Sequence, residues 1–287
     1  MLLRGSRWVE RRVRPEISGD IPLSITERLQ YLLSNVAKNV RGAAPAVRRQ
    51  AFRSARLART PGPVSPGRAL AEAFLHDRLP ALLAPGPVRV MEIGCGSGNL
   101  SIILSQAGYS GRYVGVDIGD RFSEVSTPGF SKTFVRADIH QYQPDETFDL
   151  VMSVSALEHI PDDARLTRRL DRLVAPGGLQ VHLVPSAWGL PVYLWHGYRQ
   201  YTLASLAVRF EPRDLTVFAL GGGASFLLHF VVITIGEMLL GFRLRRRFRR
   251  VYRAMLDGCL WLDRFAPVCA TTYAVCVRSS SSPAQPR

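Results

Sequence analysis

Apolar residues recur with two different periods along this chain, and the change from one to the other marks its organisation. Between Ser24 and Val40, the positions Ile25, Leu29, Leu32, Leu33, Val36 and Val40 fall at helical spacing. Ser24 and Glu27 supply a capping-box pattern at the start of that helix. A second, basic helix is predicted over residues 46–59. The stretch TPGPVSPG (60–67) interrupts the pattern and is the clearest boundary in the chain. Residues 68–83 then read as an amphipathic helix ended by APGP.

After that boundary the pattern becomes short apolar runs separated by helical stretches. Strands are predicted at 88–93, 113–117, 132–137, 148–154 and 179–184, with helices over 99–107 and 162–173, the latter stopped by an APGG turn. This alternation indicates a doubly wound, mostly parallel α/β sheet. Ligands in such sheets bind beyond the carboxyl ends of the strands. Gly94 to Gly98, Asp117, Asp138 and Ser153 to His159 each follow a strand end, so they are expected to share one crevice. The remainder reads as an aromatic-rich connection (185–202), a helix (203–210), a strand (215–220), an apolar helix (224–240) and a last strand (273–278). The tail 279–287 is disordered by composition. Residues 215–235 hold no charged side chain and are long enough to span a bilayer, but Gly221, Gly222 and Gly223 break them.

An apolar fraction of 47% with 21% charged residues fits a globular protein with a full core. The net charge of +14 is carried almost wholly by arginine, since Lys38 and Lys132 are the only lysines. Residues 1–60 hold thirteen basic and four acidic side chains, and six arginines lie between Arg243 and Arg250. Two such blocks suit an anionic partner, either lipid headgroups or nucleic acid. The four cysteines form no CxxC pair and no histidine cluster completes a zinc-like spacing, so no metal site and a reduced, cytoplasmic setting are expected. The first residues are arginine-rich and lack the apolar run of a signal peptide.

The segment VRVMEIGCGSGNLSI (88–102) raises the question of a ligand. A P-loop needs GK[ST], and here the loop continues as GSGNL. A dinucleotide fingerprint needs G-x-G-x-x-G, but Asn99 occupies the third glycine's place and Gly98 comes one residue early.

With VMEIGCGSG, GVDI, ADI, FDLVMSVSALEHIPD and LAPGGLQVHLVPS following in order, residues 88–184 resemble the class I S-adenosylmethionine-dependent methyltransferases. The resemblance implies a Rossmann-like sheet of seven strands, the last antiparallel. It implies a cofactor pocket of Glu92, Gly94, Cys95, Gly96, Ser97, Gly98, Asp117, Ile118, Asp138, Ile139, Ser153 and Ser155. In it Glu92 serves the methionine ammonium, Asp117 the ribose hydroxyls, Asp138 with the Ile139 amide the adenine, and 153–155 the methionine end. His159 and His196 are candidate bases for a hydroxyl acceptor.

The implied organisation is a helical N-terminal extension (1–67) and a methyltransferase domain (68–278). That domain carries an acceptor insertion at 185–214 and an apolar, basic helical segment at 224–265. The implied reaction is methyl transfer to a hydroxyl of a small molecule, lipid or glycan. RNA methylation and nicotinamide-dinucleotide oxidoreduction are the alternatives. Peripheral contact with an anionic membrane through Arg243 to Arg250 and the N-terminal basic segment is a further expectation.

Overall fold

A computed structural model describes residues 17–40, 47–52, 62–123, 126–210 and 214–279. Residues 280–287 of the predicted tail and nine of the thirteen basic residues in 1–60 lie outside these residues.

Among the described residues, eight strands form one sheet: β1 (Arg48–Phe52), β2 (Pro87–Ile93), β3 (Ser110–Asp117), β4 (Phe130–Arg136), β5 (Phe148–Val154), β6 (Val174–Pro185), β7 (Asp214–Leu220) and β8 (Thr272–Arg278). Their order is β1-β7-β8-β6-β5-β2-β3-β4, with β8 antiparallel to both neighbours and every other pair parallel. The order reverses between β2 and β5, which places a ligand crevice at their carboxyl ends.

The seven strands expected from the sequence are therefore eight. The extra one, Arg48–Phe52, falls where a helix is predicted over 46–59, and it pairs with β7 from Arg48↔Thr216 to Phe52↔Leu220. Without it β7 would present a row of unpaired N–H and C=O groups, and five ladder residues satisfy that edge. That demand comes from the assembled sheet and leaves no periodic trace in a five-residue segment.

The helices are α1 (Ile25–Val40), α2 (Pro66–Asp77), α3 (Leu79–Leu82), α4 (Leu100–Gln106), α5 (Asp163–Leu170), α6 (Leu190–Tyr193), α7 (Leu203–Phe210), α8 (Gly223–Leu228), α9 (Leu244–Arg247) and α10 (Arg249–Leu262). The predicted helix 68–83 is split at Arg78, where Pro80 opens α3. At the start of α1 the Ser24 amide donates to Glu27 Oε2 at 2.8 Å and the Glu27 amide to Ser24 Oγ at 3.3 Å, completing the capping box.

Side chains leave each strand alternately, so the sheet has two apolar faces. Val90, Met152, Val181 and Phe218 pack with Leu70 and Phe74 of α2, Leu104 of α4, and Tyr252, Leu256 and Leu260 of α10. Met91, Val151, Val217 and Val275 pack on the other face with Leu166 and Leu170 of α5 and Leu206 and Phe210 of α7. A third, small cluster joins Leu23 and Tyr31 of the N-terminal segment to Leu190.

The uncharged run 215–235 divides into β7, a glycine turn, α8 and a wider π-type helix over His229–Leu239. Among the described residues no helix is long and apolar enough to cross a membrane.

Candidate active site

Three glycines with positive φ shape the turn after β2, and they do different things. A Cβ on Gly94 (φ 67°) would lie 2.5 Å from that of Ala156, and one on Gly98 (φ 73°) would lie 2.5 Å from the Phe134 ring. These two glycines let protein segments approach the loop. A Cβ on Gly96 (φ 52°) would meet nothing within 4 Å, so this residue opens onto free space.

Two cavities meet at this loop, sharing Gly94 and Gly96. The smaller, of about 230 Å³, is lined by Glu92, Cys95, Ser97, Arg68 and Glu72 among others. Glu92 is buried and accepts a hydrogen bond from the Tyr113 hydroxyl. Burial pushes its carboxyl up to about 8, against the opposing effects of the Tyr113 hydrogen bond and the Arg68 charge. Burial also pushes the Cys95 thiol up to about 12, which leaves it protonated and unsuited to nucleophilic work.

The larger cavity, of about 530 Å³, is lined by Asp117, Ile118, Asp138, Ile139, Ser155 and His159, with Arg121 and Ile160 beside them. Asp117 Oδ2 accepts the Gly96 amide at 2.7 Å and Oδ1 the Gly119 amide at 2.8 Å. The carboxylate is thereby fixed, and lone pairs on both oxygens remain for a ligand. Asp138 Oδ1 accepts the His140 amide at 2.8 Å. The loop after Asp138 is held from below by Arg169, whose guanidinium donates to the carbonyls of Ile139, His140 and Tyr142. Ser155 has φ 50°, a conformation that costs about 1 kcal/mol for an L-residue and that collects at functional sites.

Two residues of the expected pocket lie elsewhere. Ser153 is fully buried with its Oγ 2.9 Å from His182 Nδ1, and it lines neither cavity. Gly98 likewise lines neither and packs on Phe134.

At the rim of the larger cavity His159 meets a residue that sequence periodicity passes over. Asp20 Oδ2 lies 2.7 Å from His159 Nδ1, and Asp20 Oδ1 accepts the Gly197 amide at 3.2 Å. Burial would raise the Asp20 carboxyl, but the hydrogen bond and charge of His159, with Ser18 and Gly197, hold it below its usual value. The rings of His159 and His196 pack edge-on with centroids 4.5 Å apart. Glu158 Oε1 lies 3.7 Å from His196 Nε2 and 3.9 Å from His159 Nε2. Burial would lower the His196 imidazole, but Glu158 and then Asp20 outweigh it and raise it.

Arg68, at the start of α2, also lines the smaller cavity although it sits in no recognisable motif. Its signal is the Ser65 cap, whose Oγ accepts the Arg68 amide at 3.3 Å and sets the helix start beside the glycine loop.

A family model described as a methyltransferase domain matches residues 65–219, more than half of the chain. This chain belongs to the class I S-adenosylmethionine-dependent methyltransferases. The trans-aconitate 2-methyltransferase of Escherichia coli O1:K1 is 29% identical over 106 residues, 37% of this chain and 42% of that enzyme. The chain thus spans under half the length of the curated relatives that it matches. Among solved structures, the [4+2]-cyclase SpnF has 16% identity and a TM-score of 0.50 over 93% of this chain and all of its own. N-methyltransferase NodS from Bradyrhizobium japonicum, solved with S-adenosylhomocysteine, has 15% identity and a TM-score of 0.47 over 75% of this chain and 88% of its own. At 16% identity the likeness to SpnF is one of fold.

For a class I methyltransferase, the arrangement places carboxylates at the ends of β2 and β3 on either side of one glycine turn. Asp163, which the sequence places next to Asp162 and near Glu158, belongs to the scaffold. It is buried and bound by Tyr201 (2.8 Å), Arg209 (2.6 Å) and Arg199 (3.2 Å).

Proposed function

We propose that this protein transfers the methyl group of S-adenosylmethionine to a hydroxyl of an amphiphilic small molecule or lipid at an anionic membrane surface. The observation that carries the reading is the pair of cavities joined at Gly94 and Gly96, with the buried Glu92 and the Arg68–Glu72 ion pair in one and two strand-end acids in the other.

The residues fit the cofactor group by group. Glu92 suits the amino acid ammonium and Arg68 its carboxylate, a pairing that a zwitterion needs and a dinucleotide does not. Asp117, already oriented by two amides, suits a vicinal diol. Ile118 is 77% exposed at the rim, a bare apolar side chain suited to covering the flat face of adenine. Asp138 suits the exocyclic amine. When bound, the cofactor supplies an electrophilic methyl group on a sulfonium.

The chain's own residues then position and desolvate. In-line displacement gains most from alignment, and the rigid strand ends provide it. His159, His196, Asp20 and Glu158 stand where an acceptor hydroxyl would enter past Ser155, and they form the machinery that we assign to its activation. The N-terminal helix α1 walls this side: Tyr31 donates from its hydroxyl to the His196 carbonyl at 2.8 Å, and the Arg28 guanidinium covers Trp195 at 4.7 Å.

The membrane part of the reading rests on the outer surface of the segment after β7. Leu239, Leu240, Phe242, Phe248, Val251, Met255, Trp261 and Phe265 are exposed there, beside exposed Arg243, Arg246 and Arg247. A cavity of about 590 Å³ there is lined by Phe242, Arg243, Arg245 and Arg246, with Glu237. Apolar side chains ringed by cations complement an anionic lipid surface.

The test is calorimetric titration with S-adenosylhomocysteine, followed by a labelled-methyl assay on lipid, metabolite and RNA extracts. Binding of the homocysteine product and label in the lipid or small-molecule fraction support the proposal. Label confined to RNA, or no binding, overturns it.

A further inference from the structure

We infer that Asp20, His159 and His196 hold a divalent transition-metal ion, with the buried Glu158 carboxylate balancing its charge. The sequence offers no metal spacing because the three donors come from the N-terminal segment, the turn after β5 and the connection after β6. In the fold, one ligand atom from each lies within 4.8 Å of the other two. Two imidazoles and a carboxylate are a donor set for Zn²⁺, Co²⁺ or Fe²⁺.

A second, independent observation points to a cation. Glu158 is 0% exposed, and neither of its side-chain oxygens has a hydrogen-bond partner. A buried carboxylate without hydrogen bonds costs several kcal/mol unless a positive charge compensates it. Its Oε1 is aimed at both imidazoles, at 3.7 and 3.9 Å. Two carboxylates with two neutral imidazoles match the charge of one divalent ion.

The backbone brings these groups together through two close approaches. The Gly19 amide donates to the Gly197 carbonyl at 2.7 Å. A Cβ on Gly19 would stand 2.4 Å from the Trp195 carbonyl carbon, and one on Gly197 (φ 63°) would stand 2.6 Å from the Glu158 carbonyl oxygen. Metal bonds of about 2.0–2.1 Å place cis donors about 3 Å apart, so the partly exposed side chains must close by up to about 2 Å. His159, His196 and Asp20 are each about one-third exposed, which leaves a coordination position open to an acceptor oxygen.

The ion's catalytic use rests on the methyl-transfer reading; its binding does not. The test takes the full chain, stripped with a chelator, and titrates it with Co²⁺ alone, reading visible absorption and stoichiometry. One ion per chain is expected, with affinity falling at least about tenfold in His196→Ala, Asp20→Asn and Glu158→Gln and unchanged in His76→Ala. Circular dichroism and thermal melting confirm that each variant folds. Absence of Co²⁺ binding by the wild type, or equal binding by the folded variants, overturns the inference and leaves Glu158 balanced by a protonated imidazole. S-adenosylhomocysteine titration on the same samples separates the two readings. Product binding without Co²⁺ binding sinks only the metal, and the converse sinks only the cofactor assignment.

Discussion

The Asp20 carboxylate lies 2.7 Å from Nδ1 of His159, although 139 positions separate the two residues in the chain. The contact fixes the orientation of the His159 ring at the rim of the larger cavity. It also ties the N-terminal segment to the proposed site.

Asp20→Asn is therefore expected to lower the methyl-transfer rate about 10–100-fold. Affinity for S-adenosylhomocysteine should stay within about twofold, since Asp20 lines neither cavity of the glycine loop. Steady-state rates set beside calorimetric titration check this. Equal loss of rate and cofactor affinity would assign Asp20 a merely structural role.

Glu92 predicts a pH dependence of cofactor binding. Its folded-state carboxyl is raised from 4.5 to about 8, so the free protein carries it mostly neutral at pH 7. For an acid raised in this way, the stability contribution is complete below the unfolded value and is lost as pH rises toward 8. A ligand ammonium favours the carboxylate, so binding near pH 7 should release almost one proton and strengthen up to about tenfold per unit from pH 6 to 8. Calorimetry in buffers of different ionisation heats measures that proton. A release unaltered in Glu92→Gln would remove Glu92 from this role.

The loop glycines should respond differently to the same substitution. Gly98→Ala drives a methyl into the Phe134 ring and should destabilise the fold by about 1–3 kcal/mol. Gly96→Ala meets open space, so its cost is about 1 kcal/mol of backbone strain, while its methyl enters the proposed cofactor volume. Thermal melts should rank Gly98→Ala as the less stable protein, and product-binding titrations should show the larger affinity loss, relative to the change in stability, in Gly96→Ala. The reverse pattern would place the ligand elsewhere.

Charge reversal tests the membrane surface. Arg246 and Arg247 are exposed and stand next to Phe248. Each basic residue near an anionic bilayer contributes about 1 kcal/mol, so the double change to glutamate should lower partitioning onto phosphatidylglycerol vesicles by at least about tenfold. Binding to neutral phosphatidylcholine vesicles should change little. Sedimentation with vesicles reads both, and wild-type indifference to lipid charge would count against the surface.

The alternation of strands and helices, the glycine turn and the acids at the strand ends are all legible in the amino-acid order. Each of these is a local demand: a strand buried on both faces needs consecutive apolar residues, and a tight turn under a ligand needs glycine. The strands 148–154 and 273–278 and the helix 203–210 were legible to within a residue for that reason. What depends on distant segments was not. The strand at Arg48–Phe52 exists because β7 has an edge to satisfy, and the displacement of Ser153 toward His182 follows from which strand face points inward. The cluster of Asp20, Glu158, His159 and His196 assembles only when two glycines allow the N-terminal segment and the connection after β6 to touch. No spacing in the chain encodes that meeting, because loop closure between such distant segments is decided by packing of the whole fold.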